Sequence, residues 1–126
     1  MAGEPILVVD DNPTNLKLVG YLLSSHGYEV RTAVDAPDAL GQLAQFRPRL
    51  ILLDLQLPGM DGFTLARRLR DDPAWRDVAI VAVTAFAMKG DEERAMAAGC
   101  DAYVTKPIDT RALPGLVARW VGGGAT

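Results

Sequence analysis

The chain has 126 residues, enough for one domain with a real hydrophobic core. Thirteen basic and sixteen acidic residues give a net charge of −3, which argues against nonspecific binding of nucleic acid. A single cysteine excludes an internal disulfide framework. Because no cleavable leader and no apolar run of transmembrane length are present, we expect a cytoplasmic protein without a membrane partner.

Apolar runs alternate with helix-like stretches along the chain, which predicts repeated βα units and a parallel sheet. The predicted strands cover residues 5–10, 28–33, 49–54, 78–83 and 101–105. The predicted helices cover residues 13–26, 36–46, 61–72, 89–98 and 110–121. We therefore expect one domain over residues 1–121, followed by a flexible tail over 122–126.

Glycine, proline and asparagine mark several helix ends. Pro13 suits a first helical turn after Asn12, and Gly27 and Gly99 suit C-terminal caps. The fifth predicted helix contains Pro114-Gly115, which predicts either a later start or a kink.

The strand patterns predict an order within the sheet. Strands one, three and four are almost entirely apolar, as expected when helices cover both faces. Strand two alternates in polarity and strand five is short, so these two suit the edges. The expected fold is a doubly wound, flavodoxin-like (βα)5 sheet of order 2-1-3-4-5, with its crevice between strands one and three.

Three acidic residues follow or end two of the central strands. Asp10 and Asp11 come after the apolar run of strand one, and Asp54 ends strand three, so all three should meet at the crevice. Their mutual repulsion predicts a bound cation, and oxygen ligands favour Mg²⁺ or Mn²⁺ over zinc. Lys106 follows strand five, and carboxylates, a cation and a lysine together point to phosphate chemistry.

Each of these residues also has an ordinary structural explanation when it is taken alone. Asp10 and Asp11 could interact with the dipole of the first helix, and Thr84 could cap a strand end. Lys106 could be an ordinary surface lysine. The combination favours the functional interpretation.

Four motifs resemble those of the receiver domains of two-component signalling, and they occur in the right order at predicted strand ends. They are Val8-Val9-Asp10-Asp11-Asn12, Asp54-Leu55-Gln56-Leu57-Pro58-Gly59-Met60-Asp61-Gly62, Val83-Thr84-Ala85 and Tyr103-Val104-Thr105-Lys106-Pro107. The resemblance to these CheY-like domains covers essentially the whole chain. The stretch from Thr84 to Arg94 is especially similar to DivK-type single-domain receivers.

The resemblance implies a role for each acidic residue. Asp54 matches the phosphoacceptor, which takes a phosphoryl group from a phosphohistidine. Asp11 and Asp54 match direct Mg²⁺ ligands, Asp10 matches a ligand acting through water, and the backbone carbonyl of Gln56 matches a further ligand. No organic cofactor is implied.

The resemblance also implies how the phosphoryl group is sensed. Thr84 and Lys106 match the groups that bind its oxygens, and Thr84 and Tyr103 match the residues that move in the switch. Tyr103 could instead simply pack on an edge strand. The resemblance further implies a cis Lys106–Pro107 bond.

The implied function is that of a single-domain response regulator in a phosphorelay. Its partners would be a histidine kinase or a histidine phosphotransfer protein, and a downstream protein target. We expect slow autodephosphorylation, influenced by Gln56 and Phe86, but no enzymatic turnover of external substrates.

Three alternatives remain. A pseudo-receiver would bind partners without phosphorylation. A small phosphatase or phosphotransferase is disfavoured because Gln56 stands where a second acid would be needed. A nucleotide-binding domain is disfavoured because no glycine-rich loop follows strand one.

Two surfaces are candidates for docking. One is the top of the first helix, with Asn15, Leu16 and Val19, beside the crevice. The other is the face of the fourth helix, fifth strand and fifth helix, where residues 86–88 form an apolar stretch that could be a docking patch or ordinary packing. Pro114-Gly115 puts family-style dimerisation through this second face in doubt, so we expect a monomer or a weak dimer.

Overall fold

The computed structural model describes residues 4–55, 62–75, 77–84, 90–105 and 110–123. Within these ranges the strands are β1 (Pro5–Val9), β2 (Glu29–Ala33), β3 (Leu50–Asp54), β4 (Ala79–Thr84) and β5 (Ala102–Thr105). The helices are α1 (Pro13–Ser25), α2 (Ala36–Leu43), α3 (Gly62–Asp71), α4 (Asp91–Ala97) and α5 (Leu113–Gly123), and a short 3-10 helix covers Pro73–Trp75.

The five strands form one parallel sheet in the order β2-β1-β3-β4-β5, which confirms the predicted fold class and strand order. In the register of the sheet, Val9 lies opposite Leu53, and Asp54 lies opposite Val83. The carboxyl ends of β1, β3 and β4 therefore meet at the same edge, where a doubly wound sheet places its crevice.

Two hydrophobic clusters cover the two faces of the sheet. One packs α2, α3 and α4 against residues such as Leu7, Val9, Ile51 and Ile80. The other packs α1 and α5 against the alternate strand residues, such as Ile6, Val8, Leu50 and Val81. Side chains alternate between the faces of a strand, so fully apolar strands bury both faces, and each buried Leu or Ile contributes about 1.5–3 kcal/mol.

Helix α1 follows the sequence prediction closely. The side chain of Asn12 accepts hydrogen bonds from the backbone N–H groups of Thr14 and Asn15, at 2.9 and 3.3 Å. Gly27, one residue beyond the C-cap, adopts φ of 93°, which a residue with a side chain rarely adopts. Together the cap and this glycine set both ends of the helix.

Helices α2 and α4 are each three residues shorter than predicted. Helix α2 ends at Leu43 instead of residue 46, because Phe46 turns into the core with 7% exposure and Pro48 follows. Helix α4 begins at Asp91 instead of residue 89, because Gly90 precedes it with φ of 90°.

Helix α5 begins at Leu113 instead of residue 110, which favours a later start over a kink at Pro114. In the first turn of a helix the missing N–H of proline costs no hydrogen bond, so Pro114 fits there. The helix continues to Gly123, two residues beyond the predicted end, and residues 124–126 lie outside the described part of the chain.

Among the described residues, no helix combines the length and the apolar character that crossing a membrane requires.

Candidate functional site

The structure brings together the three acidic residues singled out in the sequence. Asp10 follows β1 directly, Asp11 is the next residue, and Asp54 is the last residue of β3. One carboxylate oxygen from each lies within 4.8 Å of the others. Asp10 and Asp54 are only 5% and 3% exposed, whereas Asp11 is open to solvent, so the cluster is buried on one side and accessible on the other.

Asp10 is held in place by its local backbone and by α1. Its N–H donates to the carbonyl of Ala33 on β2, at 3.0 Å. One carboxylate oxygen accepts from the N–H of Asn12 at 2.9 Å, and the other accepts from the side-chain amide of Asn15 at 3.4 Å. The sequence predicted Asn15 as a docking residue and missed its contact with Asp10. The contact could have been predicted from the position of Asn15, whose amide lies in the first turn of the helix, four residues after the Asp10-Asp11 pair.

Asp54 is positioned by the close approach of α3 to the end of β3. The N–H of Leu55 donates to Val83 on β4 at 2.9 Å, and the N–H of Gly62 donates to Leu55 at 3.0 Å. A Cβ atom on Gly62 would lie 2.6 Å from the backbone oxygen of Asp54, which is closer than real contacts allow. The packing requires glycine at position 62 because backbone meets backbone there.

Thr84 ends β4 beside the acidic cluster. It is 1% exposed, and the residue before it, Val83, pairs with Asp54 in the sheet. On its other side Thr84 pairs with Thr105, the last residue of β5. A buried hydroxyl therefore lies on the strand next to Asp54, at the same edge of the sheet.

Tyr103 lies on β5, opposite Ala82 of β4. Ala82 and Thr84 are two residues apart and point to the same face of the sheet, and Tyr103 packs partly buried against the cluster on that face. Thr84 and Tyr103 are thus diagonal neighbours on one face of adjacent strands.

Several predicted site residues lie outside the described part of the chain. They are the metal-binding carbonyl of Gln56, the phosphate-binding Lys106, the cis bond expected at Pro107, and the apolar stretch 86–88.

The acidic cluster fits a hard divalent cation. All three donors are carboxylates, and two of them are nearly excluded from solvent, where like charges within 4.8 Å repel each other strongly. A cation with a preference for oxygen ligands, such as Mg²⁺, relieves this repulsion and leaves coordination positions for water and substrate oxygens. The donor set therefore suits Mg²⁺ better than zinc.

Comparison with known families agrees with this geometry. The family model for the response regulator receiver domain matches residues 6–118. This chain belongs to that family. The match covers nearly all of the sheet, helices α1 to α4 and the first half of α5, so the receiver fold and the acidic crevice belong to one recognised unit.

Curated relatives include DivK and PleD proteins. The receiver is 44% identical over 105 residues to the polar-differentiation response regulator DivK of Brucella anthropi, which is 83% of this chain and 85% of DivK. It is 46% identical over 104 residues to the response regulator PleD of Caulobacter vibrioides, and that match covers 82% of this chain. The match covers 23% of PleD, so the chain spans about a quarter of that relative's length.

Solved structures of receivers superpose closely. The receiver domain of the sensor histidine kinase PA1611 from Pseudomonas aeruginosa, with a magnesium ion coordinated in its active-site cleft, has a TM-score of 0.86 and 37% identity, covering 96% of this chain and 99% of that one. A response regulator structure from Chloroflexus aurantiacus has a TM-score of 0.89 and 31% identity, covering 95% of this chain and 98% of that one.

Proposed function

We propose that this receiver accepts a phosphoryl group on Asp54 from the phosphohistidine of a histidine kinase or phosphotransfer protein. The observation that carries the proposal is the convergence of Asp10, Asp11 and Asp54, with Thr84 buried on the adjacent strand, in a chain of the receiver family. A cluster that combines a buried carboxylate with an exposed one can both hold a cation and admit a substrate. We further propose that the protein acts in the cytoplasm as a single-domain response regulator.

The proposed metal-binding roles are those that the resemblance to receiver domains implies. In the proposal Asp11 and Asp54 bind Mg²⁺ directly, Asp10 acts through water, and the carbonyl of Gln56 adds a ligand. Magnesium, when bound, neutralises the negative charge that surrounds a transferring phosphoryl group. Support comes from the carboxylate donor set and from the similarity to the PA1611 receiver, whose cleft coordinates magnesium.

The chain's own residues carry the remaining chemistry. A carboxylate oxygen of Asp54 forms the new bond to phosphorus as the bond between phosphorus and the donor histidine breaks. Asn15 holds the carboxylate of Asp10 in place through its side-chain amide. The hydroxyl of Thr84 and the ammonium of Lys106 bind the oxygens of the transferred group.

The signal then leaves by a change on the face formed by α4, β5 and α5. In the proposal Thr84 moves toward the phosphoryl group and Tyr103 turns inward behind it, next to a cis Lys106–Pro107 bond. The placement of Thr84 and Tyr103 as diagonal neighbours on one face supports this coupling. A downstream protein binds the altered face, and slow hydrolysis of the aspartyl phosphate returns the receiver to its first state.

The test follows the intact mass of the protein with time after Mg²⁺ and acetyl phosphate are added. We expect a gain of one phosphoryl group that decays slowly, that needs Mg²⁺, and that disappears in Asp54→Asn. The matched control is Glu29→Gln, which removes one exposed carboxylate on β2 and should leave the gain unchanged.

Two results would contradict the proposal. No gain with any phosphodonor would indicate a pseudo-receiver that binds partners without phosphorylation. Rapid consumption of many equivalents of phosphodonor without a lasting adduct would indicate an enzyme acting on external substrates.

A further inference from the structure

Helix α4 has little apolar surface with which to pack on the sheet. It has seven residues, and a helix of that length is unstable in water without tertiary packing. Among its described side chains the buried ones are small, namely Ala95 and, just after the helix, Ala98. Each of the other four helices buries at least one leucine. Because two methyl groups contribute less hydrophobic stabilisation, α4 should open at a lower cost than the sheet unfolds.

The carboxyl-terminal end of α4 joins the sheet abruptly. The N–H of Cys100 donates back to Ala95 of α4, at 3.0 Å. The N–H of Asp101, the next residue, donates instead to Ile80 of β4, at 2.7 Å. The hydrogen bonds of the helix therefore give way to those of the sheet between two neighbouring residues.

The turn at this end is also tied to α3. Nε of Arg70 donates to the carbonyl oxygen of Gly99, at 2.6 Å. Gly99 adopts φ of 108°, so the chain reverses its direction there. The turn is thus a fixed point about which the rest of α4 can move.

The amino-terminal half of α4 is held by a stack of side chains. Gly90, at the N-cap, supplies no side-chain hydrogen bond to the first turn. The guanidinium of Arg94 lies over the ring of Phe63 in α3, with its central carbon 4.1 Å from the ring centroid. Arg94 has a further partner as well. The stack uses the face of the guanidinium, so it does not compete with bonds made at the edge of that plane.

Phe63 is itself anchored beside the acidic crevice. It directly follows Gly62, whose N–H donates to Leu55 at 3.0 Å. A Cβ atom on Gly62 would lie 2.6 Å from the backbone oxygen of Asp54, so the start of α3 touches the backbone of the proposed phosphoacceptor. A movement of that backbone would reach Arg94 through the ring of Phe63.

We propose that α4 opens and closes as one unit about the turn at Gly99, and that the stack of Arg94 on Phe63 is the catch that limits its opening. Opening does not require a phosphoryl group on Asp54, so this part goes beyond the function proposed above. The regulatory consequence rests on that function. Phosphorylation of Asp54 alters the catch through the start of α3, and thereby alters how often α4 exposes the face to which a downstream protein binds.

Hydrogen exchange of backbone amides, followed by NMR on the full chain without phosphodonor, tests the opening. Amides that exchange through one shared opening have one shared protection factor. We expect this for the hydrogen-bonded amides from Arg94 to Cys100, at a value well below that of β3. The amide of Asp101, bonded to Ile80, should be protected together with the sheet.

Two substitutions test the catch. Phe63→Leu keeps an apolar side chain but removes the ring, and Arg94→Lys keeps the charge of an exposed residue but removes the planar group. Each should lower the protection factor of α4 about two- to fivefold and leave that of β3 unchanged. Because both act on one contact, the double variant should lower it little further.

The matched control is Arg47→Lys. It weakens a stack of the same kind, in which Arg47 lies 4.7 Å from the ring centroid of Trp75, outside α4. The protection factor of α4 should not change in this variant.

Three outcomes would overturn the proposal. Protection that declines gradually toward Asp91 would show fraying from the end of the helix instead of one opening. Unchanged α4 protection in both Phe63→Leu and Arg94→Lys would show that the stack is no catch. Equal losses in α4 and β3 would show that the stack stabilises the whole fold.

The regulatory part is tested on the same proteins after Mg²⁺ and acetyl phosphate are added. The protection factor of α4 should change in the wild type, and by a smaller factor in Phe63→Leu. An unchanged value in a protein whose intact mass shows the phosphoryl group would overturn the regulation. Absence of the mass gain would instead contradict the proposed phosphoryl transfer, and the exchange measured without phosphodonor would still decide the catch.

Discussion

At the carboxyl-terminal edge of the sheet three carboxylates lie together, whereas at the opposite edge one guanidinium is surrounded by acceptors. Arg70, near the end of α3, donates to the carbonyl oxygens of Gly99, Val78 and Trp75 at 2.6, 2.7 and 3.2 Å. It also pairs with the carboxylate of Asp101 at 2.5 Å, and the same oxygen accepts the N–H of Ile80 at 2.8 Å. We call this group the Arg70 clamp.

The two groups differ in how their energy responds to a ligand. The acidic cluster holds like charges close together, so its energy changes greatly when a cation or a phosphoryl group arrives. The Arg70 clamp pairs opposite charges and saturates backbone acceptors, so it joins α3 to the starts of β4 and β5 and resists change. The acidic cluster is therefore the part that responds to ligands, and the Arg70 clamp keeps the opposite end of the sheet and α3 in place.

The largest effect should come from removing the Arg70 clamp. Arg70→Met keeps most of the apolar stem but leaves three carbonyls and a partly buried carboxylate without this donor. We expect a loss of about 2–4 kcal/mol in the free energy of unfolding, measured by urea denaturation. Arg68→Met, on the exposed side of the same helix, should change stability by less than about 0.5 kcal/mol. Equal effects of the two substitutions would show that the clamp contributes nothing specific.

A somewhat smaller effect is expected at Gly99, which lies against the clamp. Its φ is 108°, and a Cβ atom there would lie 2.1 Å from Cγ of Arg70. Gly99→Ala should therefore lower the free energy of unfolding by about 1–3 kcal/mol. The control is Gly41→Ala in α2, where a Cβ atom would meet nothing within 4 Å. That substitution should stabilise the protein by about 0.5–1 kcal/mol, and a stabilising Gly99→Ala would contradict the described contact.

At the acidic edge the effect of losing a charge should have the opposite sign. Asp11→Asn removes repulsion from the acidic cluster, so in the absence of divalent cations it should stabilise the protein by about 1 kcal/mol. In the wild type, Mg²⁺ at ten times its dissociation constant should add about 1.4 kcal/mol, and Asp11→Asn should lose most of this gain. Urea unfolding with Mg²⁺ or with a chelator measures both quantities. Glu29→Gln should keep the Mg²⁺ response, and an Asp11→Asn protein that also keeps it would remove Asp11 from the metal site.

The last effect depends on pH and concerns a thiol next to the clamp. Burial raises the pKa of Cys100 from 9.0 to about 11, with smaller opposing influences from Arg70 and Asp101. The folded state therefore holds its proton more tightly than the unfolded state, so this contribution to stability is complete below pH 9 and is lost as pH rises toward about 11.

Urea unfolding at several pH values measures this contribution. The wild type should lose stability between pH 9 and 11, and Cys100→Ala should lose less over that interval. The pKa of Tyr28 is also raised, first by burial and then by Glu4, but Tyr28 is present in both proteins and its effect cancels. Identical pH slopes would contradict a buried, protonated Cys100.

Much of the fold was predictable because it depends on local patterns. Runs of apolar residues in β1, β3 and β4 predict strands that are covered on both faces. The less apolar patterns of β2 and β5 predict edge strands. Helix ends were less predictable where packing decides them. Helix α2 ends before Phe46 because the ring of Phe46 packs into the core. Helix α5 begins at Leu113 instead of residue 110 because proline at position 114 fits the first turn of a helix.

The acidic residues of the candidate site were predictable, but the contacts around them were not. Strand ends place Asp10 and Asp54 together in any sheet of this order, so their convergence follows from topology. The side-chain amide of Asn15 reaches Asp10 only because the Asn12 cap determines the residue at which α1 begins and therefore which residues of its first turn face Asp10. The requirement for glycine at position 62 comes from its close approach to the backbone of Asp54, which the sequence does not show.

The sequence by itself determined the alternation of strands and helices, the order of the strands in the sheet and the family. Hydrophobic periodicity and the four motifs are local signals, each contained within a short segment of the chain. Only the tertiary structure decided the Arg70 clamp and the stack of Arg94 on Phe63. Arg70 and Asp101 are 31 residues apart, and Phe63 and Arg94 come from different helices. These contacts depend on how the helices pack on the sheet, and nothing in either segment alone distinguishes a partly buried guanidinium from one that faces solvent.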